Sequence, residues 1–273
     1  MKKSIVVLLI LLFIIALSGI TSCRSCKKRS EQKKFELEQI DTIKGQIESK
    51  IYPLPTSAEV IKMLSDLEVG YIFGISNPVQ NAKKYITSTD KAINLGGYGA
   101  DLSYATLYNM RQQVDDYLGA IRILANELSM SQIYDESWYD RIKQNFDNKD
   151  ELVKILTEAF EKTYAYLVDN YQQALALLVV GGAWVEGMYL TTHVSEAAYQ
   201  VAGISRNLLE QKKSFELYLE ITEPYLNDKI VGDFVKILNP IKEVYKDLGT
   251  SLTQKNIIDI TRAIETVRAQ IIK

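Results

Sequence analysis

The chain has 273 residues, of which 47% are hydrophobic and 24% charged, with a formal net charge of −2. That balance matches an average globular body with a sizeable core. It argues against a nucleic-acid role, which normally brings a basic excess or a basic stripe.

Met1-Lys2-Lys3 forms a basic start, and Ile5 to Leu17 is an unbroken apolar run of 13 residues. This length fits a signal-peptide core and falls short of the roughly 20 residues of a spanning helix. Small and turn-forming residues, Ser18 to Ser22, lead to Cys23. Ile20-Thr21-Ser22-Cys23 resembles the bacterial lipobox, with Ile20 in place of the commoner Leu. The resemblance implies diacylglyceryl transfer to the Cys23 thiol, cleavage before it and acylation of the new amine. A mature chain of 251 residues would remain after removal of the first 22, with 30 basic and 34 acidic side chains once Lys2 and Lys3 are gone. Two or three acyl chains, at about 0.8 kcal/mol per buried CH₂, anchor a protein for good. An uncleaved signal anchor over Ser4–Ile20 is the alternative, and both readings place the body outside the inner membrane.

Residues 23–55 read as a tether holding a short helix near 33–50. Its basic residues Arg24, Lys27, Lys28 and Arg29 would gain about 1 kcal/mol each beside anionic headgroups. No acidic run follows Cys23, which favours a periplasm-facing protein. Cys23 and Cys26 have redox-like C-x-x-C spacing, but the charged surroundings leave Cys26 an incidental thiol.

The body, residues 56–273, is expected to be all-α, an irregular antiparallel helical bundle on the lipid tether. Leu107, Met110, Val114, Tyr117, Ile121, Leu124 and Leu128 step by three and four, an a/d seam. Ile230 to Leu248 and Ile257 to Ile271 repeat the pattern, and no stretch alternates with period two. The spacing predicts helices near 57–68, 78–92, 98–129, 136–146, 149–180, 183–201, 204–222, 228–248 and 252–271. Thr56 with Glu59, Asn148 with Glu151 and Ser251 with Gln254 have capping-box spacing. Asn239-Pro240 should kink its helix or begin a new one. No period of 34 or 40 residues recurs, which excludes the common solenoids.

Two stretches stand out. In Asn94-Leu-Gly-Gly-Tyr-Gly-Ala-Asp-Leu-Ser-Tyr104, three glycines in four residues form a loop before a helix or permit close helix contact. Asp101 there can cap amides or accept a bond from Tyr98 or Tyr104. No G-x-x-x-x-G-K-[ST] or preceding strand supports phosphate binding. In Gly181-Gly-Ala-Trp-Val-Glu-Gly-Met-Tyr-Leu-Thr-Thr-His193, the small residues Ala183, Gly187 and Thr191 make a ridge for a close helix contact. Glu186, Tyr189 and His193 share another face. Glu186 and His193 form a candidate acid–base pair. A metal site normally needs three protein ligands, and His193 is the only histidine, so no metal or cofactor is expected. Seventeen tyrosines, several clustered between Tyr164 and Tyr199, suit helix–helix contacts or a binding groove.

The lipobox and these two stretches resemble all-helical lipoproteins of Bacteroides-like bacteria. The resemblance implies a helical lipoprotein of the outer envelope and carries over no catalytic residue. The expected function is a non-catalytic binding or scaffolding module of the cell envelope, its partners being membrane lipid through acylated Cys23 and an envelope protein. One alternative is a small-molecule binder with an aromatic pocket near Tyr98, Tyr104, Trp184 and Tyr189. Another is an enzyme in which Asp101, Glu186 and His193 converge.

Overall fold

The computed structural model describes residues 70–196, 204–249 and 251–272; the side chains of 195, 196 and 204–207 are not part of that description. The signal segment, Cys23, the tether and the helix expected at 57–68 lie outside the described residues. Those residues form an all-α bundle with no strand among them.

Chain order begins with a strap, residues 70–78, and a 3-10 turn, Val79–Lys83. Nine helices follow: α1 (Ser88–Leu107), α2 (Arg111–Glu127), α3 (Glu136–Gln144), α4 (Lys149–Asp169), α5 (Gln173–Glu196), α6 (Ile204–Thr222), α7 (Lys229–Ile237), α8 (Asn239–Lys246) and α9 (Gln254–Ile271). Most starts carry a side-chain cap. Thr87, Asp135, Asn148 and Asp228 each accept an amide of the first turn. At α9 the cap is Thr253 in a reciprocal box with Asn256, two residues beyond the expected Ser251. Pro240 sits in the first turn of α8, so the Asn239-Pro240 step begins a new helix.

The two glycine-rich stretches lie inside helices, not before them. α1 and α5 cross at the centre of the bundle with their backbones in contact. A Cβ on Gly96 would overlap the Val179 carbonyl oxygen, and one on Gly182 would overlap the carbonyl of Ile93. The contact is reciprocal, because each glycine stands three residues after the carbonyl its partner meets. Two residues further on, Tyr98 lies 6.1 Å from Tyr117 of α2, and Trp184 stacks 4.9 Å from Phe215 of α6. The crossing thus has an approximate local two-fold. α4 and α9 each pack on both α1 and α5. Gln173–Val194 of α5 is apolar enough by composition to cross a membrane, but 83% of its window is buried within the bundle. That is the pattern of a core helix apolar on every side.

Two expected helices are shorter than their hydrophobic pattern. The seam over 98–129 is interrupted at Tyr108–Met110, and the helix expected over 149–180 stops at Asp169. Asn109, Ser129 and Tyr171 take left-handed φ of 54°, 62° and 60°. At each, the following amide reaches back five residues: Met110 to Ala105, Met130 to Ala125 and Gln172 to Leu167, at 2.8–2.9 Å. These are Schellman caps built without glycine. Gly181-Gly182 reads as a helix boundary in sequence, yet α5 runs straight through it, because Gly182 admits α1 and Gly181 makes room for Phe234 of α7 and Tyr218 of α6.

Candidate functional site

Beside the α1–α5 crossing, charged side chains are buried. Glu186 of α5 is 3% exposed. It takes a bidentate pair from Arg268 of α9, with Nε to Oε2 and Nη2 to Oε1 both at 2.7 Å. Two planar groups meeting in parallel give the strongest form of ion pair. Arg268 also donates from Nη2 to the Ile75 carbonyl at 3.1 Å and lies 3.7 Å over the Tyr189 ring. One guanidinium therefore joins α5, α9 and the strap.

Asp101 of α1 is fully buried and faces the same cluster. Its Oδ2 accepts the Asn77 amide at 3.2 Å, while Oδ1 and the nearby Ser76 hydroxyl have no protein partner. Burial pushes the Asp101 carboxyl well above the ordinary carboxylate range, and the negative charge of Glu186 pushes it further. Of the two carboxyls, Asp101 is thus the one whose protonated form the surroundings favour, while Glu186 is the one paired with Arg268. Asn77 extends the network, donating from Nδ2 to Tyr85 Oη at 3.0 Å and to Asn94 Oδ1 at 3.1 Å.

The other residues singled out in the sequence fall into separate clusters. Tyr98 is buried and donates to the Pro78 carbonyl at 2.9 Å. Tyr104 accepts the Ile72 amide at 2.8 Å and stacks on Tyr71 at 4.7 Å; burial pushes its hydroxyl up to about 12. Trp184 donates to Gln211 at 3.0 Å, away from both tyrosines. Tyr189 contacts Arg268 on its ring and lies 3.8 Å from the His193 ring. His193 turns its Nδ1 to the Tyr189 carbonyl at 2.9 Å and its Nε2 to Glu265 at 3.1 Å. Asp101 and Glu186 therefore come together, whereas His193 is held by a different acid.

No group of three His, Cys, Asp or Glu side chains suited to a metal occurs among the described residues. Chemically the cluster is a polar lock: Glu186 and Arg268 pair within it, only Asp101 Oδ1 and the Ser76 hydroxyl in it are left without a protein partner, and its members bind chain segments together. Arg268 and the strap residues Ser76 and Asn77 were missed in sequence. Arg268 lies 82 residues beyond Glu186, and its one local sign is a cation set between Ile264 and Ile271 on the apolar seam of α9. Compared with known protein families, curated proteins and solved structures, the chain matches none.

Proposed function

We propose that the chain is a membrane-anchored, non-catalytic helical module of the cell envelope that works by binding or scaffolding another envelope component. The observation that carries this reading is the engagement of the acid–base candidates inside the fold. Glu186 is taken by Arg268, His193 by Glu265, and Asp101 by the strap. A general acid or base needs direct reach to a substrate proton, and groups held this way secure helices instead. The anchor rests on Ile20-Thr21-Ser22-Cys23 and the basic residues behind it. Contact surface is available at Phe73, 68% exposed, and Tyr171, 70% exposed. Aromatic side chains of this kind supply much of the energy of protein interfaces.

A photo-crosslinking residue at Phe73, introduced in cells, tests the binding half. It should trap one discrete adduct that survives His193→Ala and Asp101→Asn. Turnover of any substrate that depends on Asp101, Glu186 or His193 would overturn the non-catalytic reading. For the anchor, Cys23→Ala should abolish fatty-acid labelling and release the body into the soluble periplasmic fraction. An intact, unmodified Met1 on the native protein would overturn it.

A further inference from the structure

A partly open cavity of about 40 Å³ lies between α1, α3, α4 and α5, apart from the buried charges. Small residues, Gly99, Ala100 and Ala159, share its wall with Tyr134, Trp138 and Phe160. Tyr134 is already satisfied, its hydroxyl 2.7 Å from Thr163 Oγ1. Trp138 is not. Its side chain is 6% exposed, and its indole N–H is buried with no acceptor in the protein. Native folds rarely leave a buried donor unpaired, because the lost hydration is not replaced.

Gly99 supplies a second observation. Gly96, one turn before it, has no room for a side chain, but a Cβ on Gly99 would meet nothing within 4 Å. Close packing therefore does not require this glycine, although glycine disfavours a helix interior. Its effect is to keep the space at the cavity wall open.

We propose that this cavity binds a short aliphatic molecule carrying one acceptor oxygen, an alcohol or simple carbonyl compound. The oxygen accepts the Trp138 indole N–H, and the alkyl part lies against Gly99, Ala100 and Ala159. Volume sets the size class. A single water needs about 10–15 Å³ of such space, and a cavity of about 150 Å³ takes benzene. The space here thus suits a chain of about three or four heavy atoms rather than a ring.

The test is a titration of the purified full chain with 1-propanol, followed by NMR of the indole N–H groups. The sequence has two tryptophans, so Trp184, bonded to Gln211, is the internal reference, and Trp138→Phe assigns the peaks. The Trp138 resonance should move downfield and saturate while that of Trp184 stays in place. Gly99→Val fills the wall and should weaken the response at least tenfold; Gly99→Ala should weaken it less. An unchanged Trp184 resonance in either variant shows that the core is folded, and Gly99→Ala serves alone if the valine variant does not fold. A non-saturating drift of both resonances, an equal response in the variants, or an N–H paired to a water that propanol does not displace would each overturn the proposal.

Discussion

Arg268 shows how much one side chain can hold when it is placed between three segments. Removing it as Arg268→Met would leave the Glu186 carboxyl buried without its partner. Breaking a buried pair from one side costs about 3–5 kcal/mol. At about 2–4 °C per kcal/mol for a body this size, thermal unfolding should shift down by about 6–20 °C. Glu186→Leu with Arg268→Met should recover most of that loss, since neither charge then remains to be desolvated. Equal loss in the single and double variants, measured by thermal denaturation, would mean that the strap and Tyr189 contacts matter more than the pair. Asp101 adds a pH dependence of definite sign. Its carboxyl titrates well above its ordinary 3.8 in the fold. Its contribution is therefore fully present below about pH 4, where folded and unfolded chains both carry the proton. Stability from this group is lost as pH rises toward the folded value, by up to about 1.4 kcal/mol per pH unit. Asp101→Asn has no such proton, so its melting temperature should gain on that of the parent as pH rises from 4 to 8. A constant difference across that range would contradict the assignment of the proton to Asp101.

At the scale of the helix, glycine has opposite meanings at neighbouring positions. Gly182→Ala pushes a Cβ into the Ile93 carbonyl, and backbone cannot yield as a flexible side chain can. A destabilisation of about 3 kcal/mol or more, or failure to fold, is expected in denaturant titrations. Gly99→Ala meets no neighbour and should be neutral or stabilising, by up to about 1 kcal/mol. How much of the fold could be read in sequence follows the same division. The α3, α6 and α9 segments were placed within two residues, because their apolar spacing and end signals are local. Close helix contact was one of two readings of the Gly96-Gly97 stretch, left open because a Gly-Gly pair has one composition whether it ends a helix or admits a second one. The end of α2 was placed within two residues, but the breaks after α1 and α4 were missed because Asn109 and Tyr171 adopt a backbone usually supplied by glycine. For the site, Asp101, Glu186 and Tyr189 stood out as polar groups in apolar stretches. Their partners Asn77 and Arg268 come from elsewhere in the chain and share no local spacing with them. The cavity wall at Trp138 was not foreseen either, since Gly99 and Trp138 meet only through packing.

For the molecule as a whole, the crossing couples the early helices to the late ones. Because α4 and α9 both rest on α1 and α5, neither half can bury its apolar faces alone. Unfolding of the described body should therefore be a single cooperative transition. Hydrogen exchange followed by mass spectrometry should find the slowest amides in α1 and α5, and faster exchange in α3 and α8. Independent protection of α1–α4 and α5–α9 would refute this coupling.

The strap carries a mechanical implication. Any tension arriving from the chain before Gly70 enters the bundle through residues 70–78. There it meets the Tyr71–Tyr104 stack, the Asn77–Asp101 bond and the reach of Arg268 to Ile75. These fastenings join the strap to α1 and α9, and through Glu186 to α5, so the load is shared by the central helices instead of peeling one helix at the edge. Load that enters at the leading end of the body is thus taken up at its middle.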